Sequence, residues 1–478
     1  MRISTYLADF VGSTMRLLNP LIPLSALLLA PALAFGLGSR LPDQDASATA
    51  RGDAFTATAD DPSAIYYNPA GLTQLPDGFS TESGIYGIWI QDHYDPLHGQ
   101  VGAHSSDAHE PFQPVPNLFL AYHPKDEPFT VGLGVFSPFG LKTEWPDDSS
   151  FRQAGLYGSE QVIDINPTIA VQVTRTLSIG AGLDVDYIDA ELNQGLSPMP
   201  GDSFGFKGHS LAVGANFGVM WKPTDRQSIG FNYHSPVFAD LDGHTHEGLN
   251  GTERGESEAG NARIAAGKAQ LNSAIALINS DPLIPPSIKA GLIARATAQY
   301  EAAVAASGVP ASGSFPTSFP TLGARGELTF PQYAELGYSF RPTPAWNIEA
   351  DVDWTDWDAL NTLTLNRTDG SQVKVPFDWT RSFIYEVGAS YLLGDYKLSA
   401  GYMYSENSVP SGTFTPVVPD SARNLVSLGV GRSFGPLEVN LAYQLGLGGT
   451  RTIVNDSVAD GRYSFISNAV SISVGYHF

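Results

Sequence analysis

The sequence predicts an all-β chain: a fourteen-stranded antiparallel transmembrane β-barrel with a helical hairpin in one outer loop. Three observations predict it. Apolar and polar residues alternate with period two over segment after segment. The connections between segments alternate short and long. The chain closes on an amphipathic strand that ends in Phe478.

The N-terminus comes first. Residues 17–34 form an apolar run that ends Ala32-Leu33-Ala34, an A-x-A cleavage pattern, and predict a signal peptide over 1–34. Pro20, Pro23 and Pro31 make the run a poor permanent anchor. Asp9 lies in a long preceding segment; a start at Met15 would place Arg16 directly before the apolar core. No later stretch approaches the length of a transmembrane helix. The chain has no cysteine, which excludes disulfides and thiolate metal sites, and its net charge of −23 argues against nucleic acid as a partner.

The strands follow. In Thr176–Tyr187, Leu177, Ile179, Ala181, Leu183, Val185 and Tyr187 share one face, and Asp184 and Asp186 lie on the other. Leu437–Leu445, Phe383–Tyr391, Leu211–Trp221 and Trp346–Trp354 repeat the pattern. Such segments fall at about 79–93, 114–123, 128–137, 159–174, 176–194, 207–222, 227–243, 325–341, 345–367, 377–393, 395–408, 421–434, 436–451 and 463–478. Long connections at 94–113, 138–158, 195–206, 244–324, 368–376, 409–420 and 452–462 alternate with turns such as Pro124–Glu127, Gly394 and Gly435. Short periplasmic turns and long outer loops are the asymmetry of an outer-membrane barrel. An amphipathic last strand (Val470, Ile472, Val474, Tyr476, Phe478) is the signal taken by the outer-membrane assembly machinery, an expected partner with outer-membrane lipid and lipopolysaccharide.

One long loop, 244–324, differs in composition. Residues 261–280 and 287–307 are Ala-rich and place Ile264, Leu271, Ile275 and Ile278, then Ile288, Leu292, Ala296, Tyr300 and Val304, at helical spacing. They predict two helices, either a cap on the barrel or a landing groove for a greasy molecule.

Residues 35–78 precede the first barrel strand, in a domain order of 1–34 signal peptide, 35–78 hatch and 79–478 barrel. Ala50-Arg51-Gly52, Ala59-Asp60-Asp61-Pro62-Ser63-Ala64 and above all Asn68-Pro69-Ala70-Gly71-Leu72 resemble the hatch of the FadL-type family of long-chain fatty acid and aromatic hydrocarbon transporters. Gly132–Leu141 and Pro376–Pro410 also resemble that family. The resemblance implies a monomeric barrel plugged by the N-terminal hatch for passive uptake of a hydrophobic small molecule, with hatch movement opening a path sideways into the membrane or down to the periplasm. It points to Arg51, Asn68, Pro69 and Ala70 in the hatch. Phe136 and Trp357, on the inward register, are expected to contact ligand. Gly132, Gly134 and Pro138 are expected at a lateral opening in the third strand, because inward glycines and a proline weaken a ladder there. The family's carboxylate-binding basic residues find no match.

No metal or cofactor is expected. His244-x-His246 is placed in a solvated loop. A barrel-type lipase or esterase would need a Ser–His pair, but His209-Ser210 and His234-Ser235 are adjacent on strands and point apart. A general porin or an adhesin would need no plug. By alternation Asp184, Asp186, Glu335, Glu349, Asp351, Asp353, Glu386 and Glu438 point inward, and Arg40 and Arg51 are the natural partners from the hatch.

Overall fold

Period-two alternation becomes a wall once neighbouring strands pair, because each backbone N–H and C=O then finds a partner while side chains go in or out. The computed structural model describes residues 38–478 apart from 101, 110, 111, 307, 308 and 310–312. The expected signal peptide and hatch residues 35–37 lie outside the described residues. Among the described residues, fourteen strands form the wall: β1 (Gly78–Asp95), β2 (Gln113–His123), β3 (Phe129–Phe136, resuming at Gly140–Glu144), β4 (Tyr157–Gln172), β5 (Leu177–Gln194), β6 (Ser203–Thr224), β7 (Gln227–His234 and Val237–Gly248), β8 (Leu322–Phe330 and Tyr333–Phe340), β9 (Trp346–Thr355 and Thr362–Arg367), β10 (Gln372–Pro376 and Ser382–Leu393), β11 (Tyr396–Ser405), β12 (Arg423–Phe434), β13 (Leu437–Gly448) and β14 (Gly461–His477). Each pairs antiparallel with its sequence neighbour, and β1 closes on β14 from Ser80↔His477 to Asp95↔Arg462.

The alternation sorts the side chains as expected. Leu211, Leu336, Leu428, Val470 and Ile472 are exposed on the outer face. A continuous apolar band of this kind belongs against lipid. Asp184, Asp186, Glu335, Glu349, Asp351, Asp353 and Glu386 are buried inside. No described helix is long and apolar enough to cross a membrane.

Several boundaries differ from expectation. The connection expected at 368–376 is only the turn 368–371: Gln372–Pro376 extends the wall by pairing with Thr362–Arg367. His244 and His246 are not in a loop either. β7 runs on to Gly248, and the two histidines pair with Lys207 and Gly205 of β6, with the buried Thr245 between them. Strand propensity in the run of 237–248 was obscured by its charged and glycine residues.

Helix α3 (Gly251–Ser280) starts ten residues before the Ala-rich segment, at a capping box in which Asn250 accepts from the Glu253 amide and Glu253 returns a bond to the Asn250 amide. Its partner α4 is Pro286–Ala306. Ile264 and Leu271 face α4 half-buried, whereas Leu277, Leu283 and Ile288 stay exposed.

Residues 38–77 fill the lumen. Two short helices, α1 (Ala46–Thr49) and α2 (Ala64–Tyr67), and a 3-10 turn at Pro69–Gln74 carry almost wholly buried side chains. The wall makes room for them with inward glycines. Any side chain at Gly180 or Gly218 would overlap Pro69, and one at Gly401 would overlap the backbone of Arg51.

Candidate functional site: the hatch, the broken strand and the lumen cavity

The hatch is tied to the wall by charge and by backbone amides. Arg40 Nη2 lies 2.6 Å from Glu335 Oε1, its Nη1 pairs with Asp353, and its guanidinium sits 3.7 Å over the Tyr333 ring. Arg51 Nη2 lies 3.0 Å from Glu349 Oε2. Wall carboxylates also accept from the hatch backbone: Ala57 N donates to Glu349 at 2.6 Å and Thr56 N to Asp351 at 3.0 Å. Buried carboxylates are stable only when so satisfied.

Asn68 links three segments. Its Oδ1 accepts from Ala70 N at 3.2 Å, closing a local turn, and its Nδ2 donates to Thr56 O at 2.8 Å and to Val219 O of β6 at 3.1 Å. Pro69 begins the 3-10 turn, where a missing N–H costs nothing, and Ala70 is fully buried.

The wall is broken at β3. Pairing with β2 stops at Leu118↔Val135, although β2 continues to Gln113 against β1. Pro114 and Pro116 lie on that stretch of β2 and have no N–H to offer. On the other side, Phe136 pairs with Asp164 and Gly140 with Gln161, so three residues of β3, Ser137–Phe139, face two of β4. This is a β-bulge, and it flips the inward phase from Phe136 to Thr143 and Trp145.

The hatch supplies the hydrogen bonds that β2 does not. Leu41 N donates to Pro138 O at 2.9 Å, and Gly140 N donates to Ser39 O at 2.8 Å. The Gln44 amide brackets Ser137, donating to its carbonyl at 2.8 Å and accepting from its N–H at 3.3 Å. Arg40 and Phe139 form the bridge between the two segments.

Beside this seal lies a cavity of about 360 Å³. Its apolar walls include Leu41, Ile88, Ile90, Val115, Phe139 and Phe465, while Arg40, Lys142 and Arg423 face Asp43, Asp92 and Glu160 around it. Arg423 is paired with Asp420 at 3.2 Å.

The expected residues are placed as follows. Arg51 and Asn68 bond the hatch to the wall, and Pro69 and Ala70 pack against it at Gly180. Pro138 sits in the bulge. Gly132 and Gly134 do not lie in the gap: they are paired on both sides, to Ala121 and Thr168 and to Phe119 and Asn166. Their missing side chains make room for Ile65 of the hatch. Phe136 and Trp357 do not line the cavity. Phe136 packs on Tyr66 at 5.3 Å, and Trp357 on Trp379 at 4.8 Å and Phe139 at 6.1 Å. Sequence reasoning missed Phe139, Pro114 and Pro116, and also Ile88 and Ile90. Two prolines in one strand and apolar residues on an inward register were the available signals.

Comparison with known proteins agrees with this architecture. Residues 27–478 match the family model described as outer membrane protein transport protein (OMPP1/FadL/TodX). The chain is 23% identical to a long-chain fatty acid transport protein of Escherichia coli O6:H1, over 95% of this chain and 97% of that one. It is 24% identical to outer membrane protein P1 of Haemophilus influenzae, over 90% of each. Among solved structures, a Pseudomonas aeruginosa FadL homologue superposes with a TM-score of 0.71 at 20% identity, covering 92% of this chain and all of that one. The Pseudomonas putida toluene transporter TodX gives 0.64 at 16% identity, covering 93% and 99%. A plugged barrel and a family match over nearly the whole length lead to one conclusion: the chain belongs to the OMPP1/FadL/TodX family of outer membrane transport proteins.

Proposed function

We propose that this chain passes hydrophobic molecules, long-chain fatty acids or hydrocarbons, passively across the outer membrane, and that they leave sideways between β2 and β3. The carrying observation is that the apolar cavity abuts the one stretch of β3 whose pairing with β2 is replaced by hatch residues 39–44. A greasy ligand enters the cavity, displaces Leu41 from Pro138, and meets a gap in the wall. Leaving through it into lipid is favoured by roughly 25 cal/mol per Å² of apolar surface kept from water. No energy source is needed beyond the gradient.

An enzymatic role finds no support at the expected pairs. His234 faces Asp184 at 3.6 Å and the Tyr66 carbonyl at 3.3 Å, while Ser235 Oγ accepts from Ala215 N. A general porin would need an open lumen, and here the hatch fills it. The relatives include both a fatty acid and a toluene transporter, so the substrate panel is the test. A deletion strain carrying this protein is given labelled oleate, hexadecane and toluene. Uptake of at least one above the empty-vector strain is expected; uptake of none overturns the proposal.

A further inference from the structure

Two carboxylates of the hatch and one of the wall converge near the short-turn end of the barrel. One oxygen each of Asp45, Asp61 and Glu82 lies within 4.8 Å of the others. Asp45 caps the helix at Ala46–Thr49, accepting through Oδ2 from Ser47 N at 2.6 Å and Ala48 N at 3.0 Å. Asp61 Oδ1 accepts from Ser63 N at 3.0 Å. Glu82 comes from β1, paired with Gly475 and Phe119. Asp45 and Glu82 are buried, and Asp45 Oδ1 and Glu82 Oε1 have no hydrogen-bond partner. The nearby Lys397 ammonium is committed to Ser47 Oγ at 2.9 Å and Glu438 at 3.0 Å.

Three converging carboxylates with two orphaned buried oxygens call for a positive charge between them. We propose that Asp45, Asp61 and Glu82 bind a hard divalent cation, calcium in preference to magnesium, which clips the hatch to β1. The donors are all oxygen, which suits a hard cation and excludes a soft one. Magnesium dehydrates reluctantly and usually keeps several waters, whereas calcium accepts an irregular set of protein oxygens, which suits a largely buried site of three carboxylates. The three oxygens lie within 4.8 Å of one another, close enough for one ion to touch all three. Asp61 is half-exposed, which gives the ion a route in. The clip lies four residues beyond Leu41 in the chain. It would hold the hatch in the barrel while residues 39–41 peel away from β3. The three ligands are 16 and 21 residues apart in sequence, with no motif spacing, which is why the sequence suggested no metal.

The experiment is calorimetric titration of the full-length, lipopolysaccharide-free protein in detergent, after chelator treatment, with calcium chloride and separately with magnesium chloride. The wild type is expected to bind one calcium, with magnesium weaker by about ten-fold. Glu82→Gln and Asp61→Asn should each weaken calcium by about ten-fold or more. Asp61 is half-exposed, so its variant remains informative if Glu82→Gln does not fold. Bound calcium should also slow protease cleavage of the hatch. No calcium uptake by the wild type up to about 10 mM, above the weakest extracellular sites, overturns the proposal. So does calcium binding that both variants retain unchanged; the carboxyls would then be sharing protons.

Discussion

The amide of Leu41 donates to the carbonyl of Pro138 at 2.9 Å, so the hatch is hydrogen-bonded to the broken stretch of the barrel wall. Directly opposed residues of an antiparallel pair have Cα atoms about 4.5–5.5 Å apart, within disulfide range. The chain has no cysteine of its own. Leu41→Cys combined with Pro138→Cys should therefore form a bridge on oxidation that abolishes uptake, and reduction of the same sample should restore it. Equal uptake in both redox states would place the exit elsewhere.

The inward glycines predict a steric release of the hatch. Gly401→Val would drive a side chain into the backbone of Arg51 and Gly52, whereas a Cβ at Gly475 meets nothing closer than 3.7 Å. The first substitution should cost about 1–3 kcal/mol by overpacking and raise single-channel conductance as the hatch shifts. Gly475→Ala should leave conductance at the wild-type level.

Arg51 and Glu349 are both buried, at 3.0 Å. Arg51→Ala would leave the buried Glu349 without its counter-charge, held only by the Ala57 and Thr58 donors, at a cost of about 3–5 kcal/mol. Thermal unfolding should begin earlier, and residues 38–77 should become accessible to added protease in the folded barrel. Unchanged protease resistance would end the anchoring role assigned to Arg51.

The outer loops carry their own buried pair, Arg152 with Asp202. Burial pushes the Asp202 carboxyl up, but hydrogen bonds from Arg152, Ser197 and the Leu196 amide outweigh it and hold the group below its ordinary 3.8. A depressed carboxylate stabilises above its unfolded value and loses that contribution as pH falls through the folded one. Proteolysis of 145–155 and 195–202 should thus be slow from neutral pH down to about 4 and rise only below the ordinary Asp value. Asp202→Asn should show fast cleavage already at neutral pH.

The lipid-facing assignment is tested with single-tryptophan variants. Trp346 is 42% exposed on the outer face and Trp357 is 2% exposed inside. Brominated lipid should quench Trp346 and spare Trp357; the reverse pattern would invert the assignment of faces.

The sequence by itself determined the wall. Alternation is local, since each residue's face follows from its position along its own strand, and Asp184, Leu211 and Ile472 fall where their register sends them. The Asn68-Pro69-Ala70 turn was equally legible, because its first hydrogen bond is to its own backbone. Tertiary structure alone decided what meets across the lumen. Gly132 and Gly134 looked like weak points in a strand, but Ile65, more than sixty residues earlier, occupies the space they leave. Phe139 became the bridge to Arg40 because β2 stops pairing at Leu118, a property of two strands at once. Asp45, Asp61 and Glu82 met because the hatch folds back against β1. Faces are set by neighbours in the chain, whereas gaps, seals and converging charges depend on which distant segments pack together, and alternation carries no record of that.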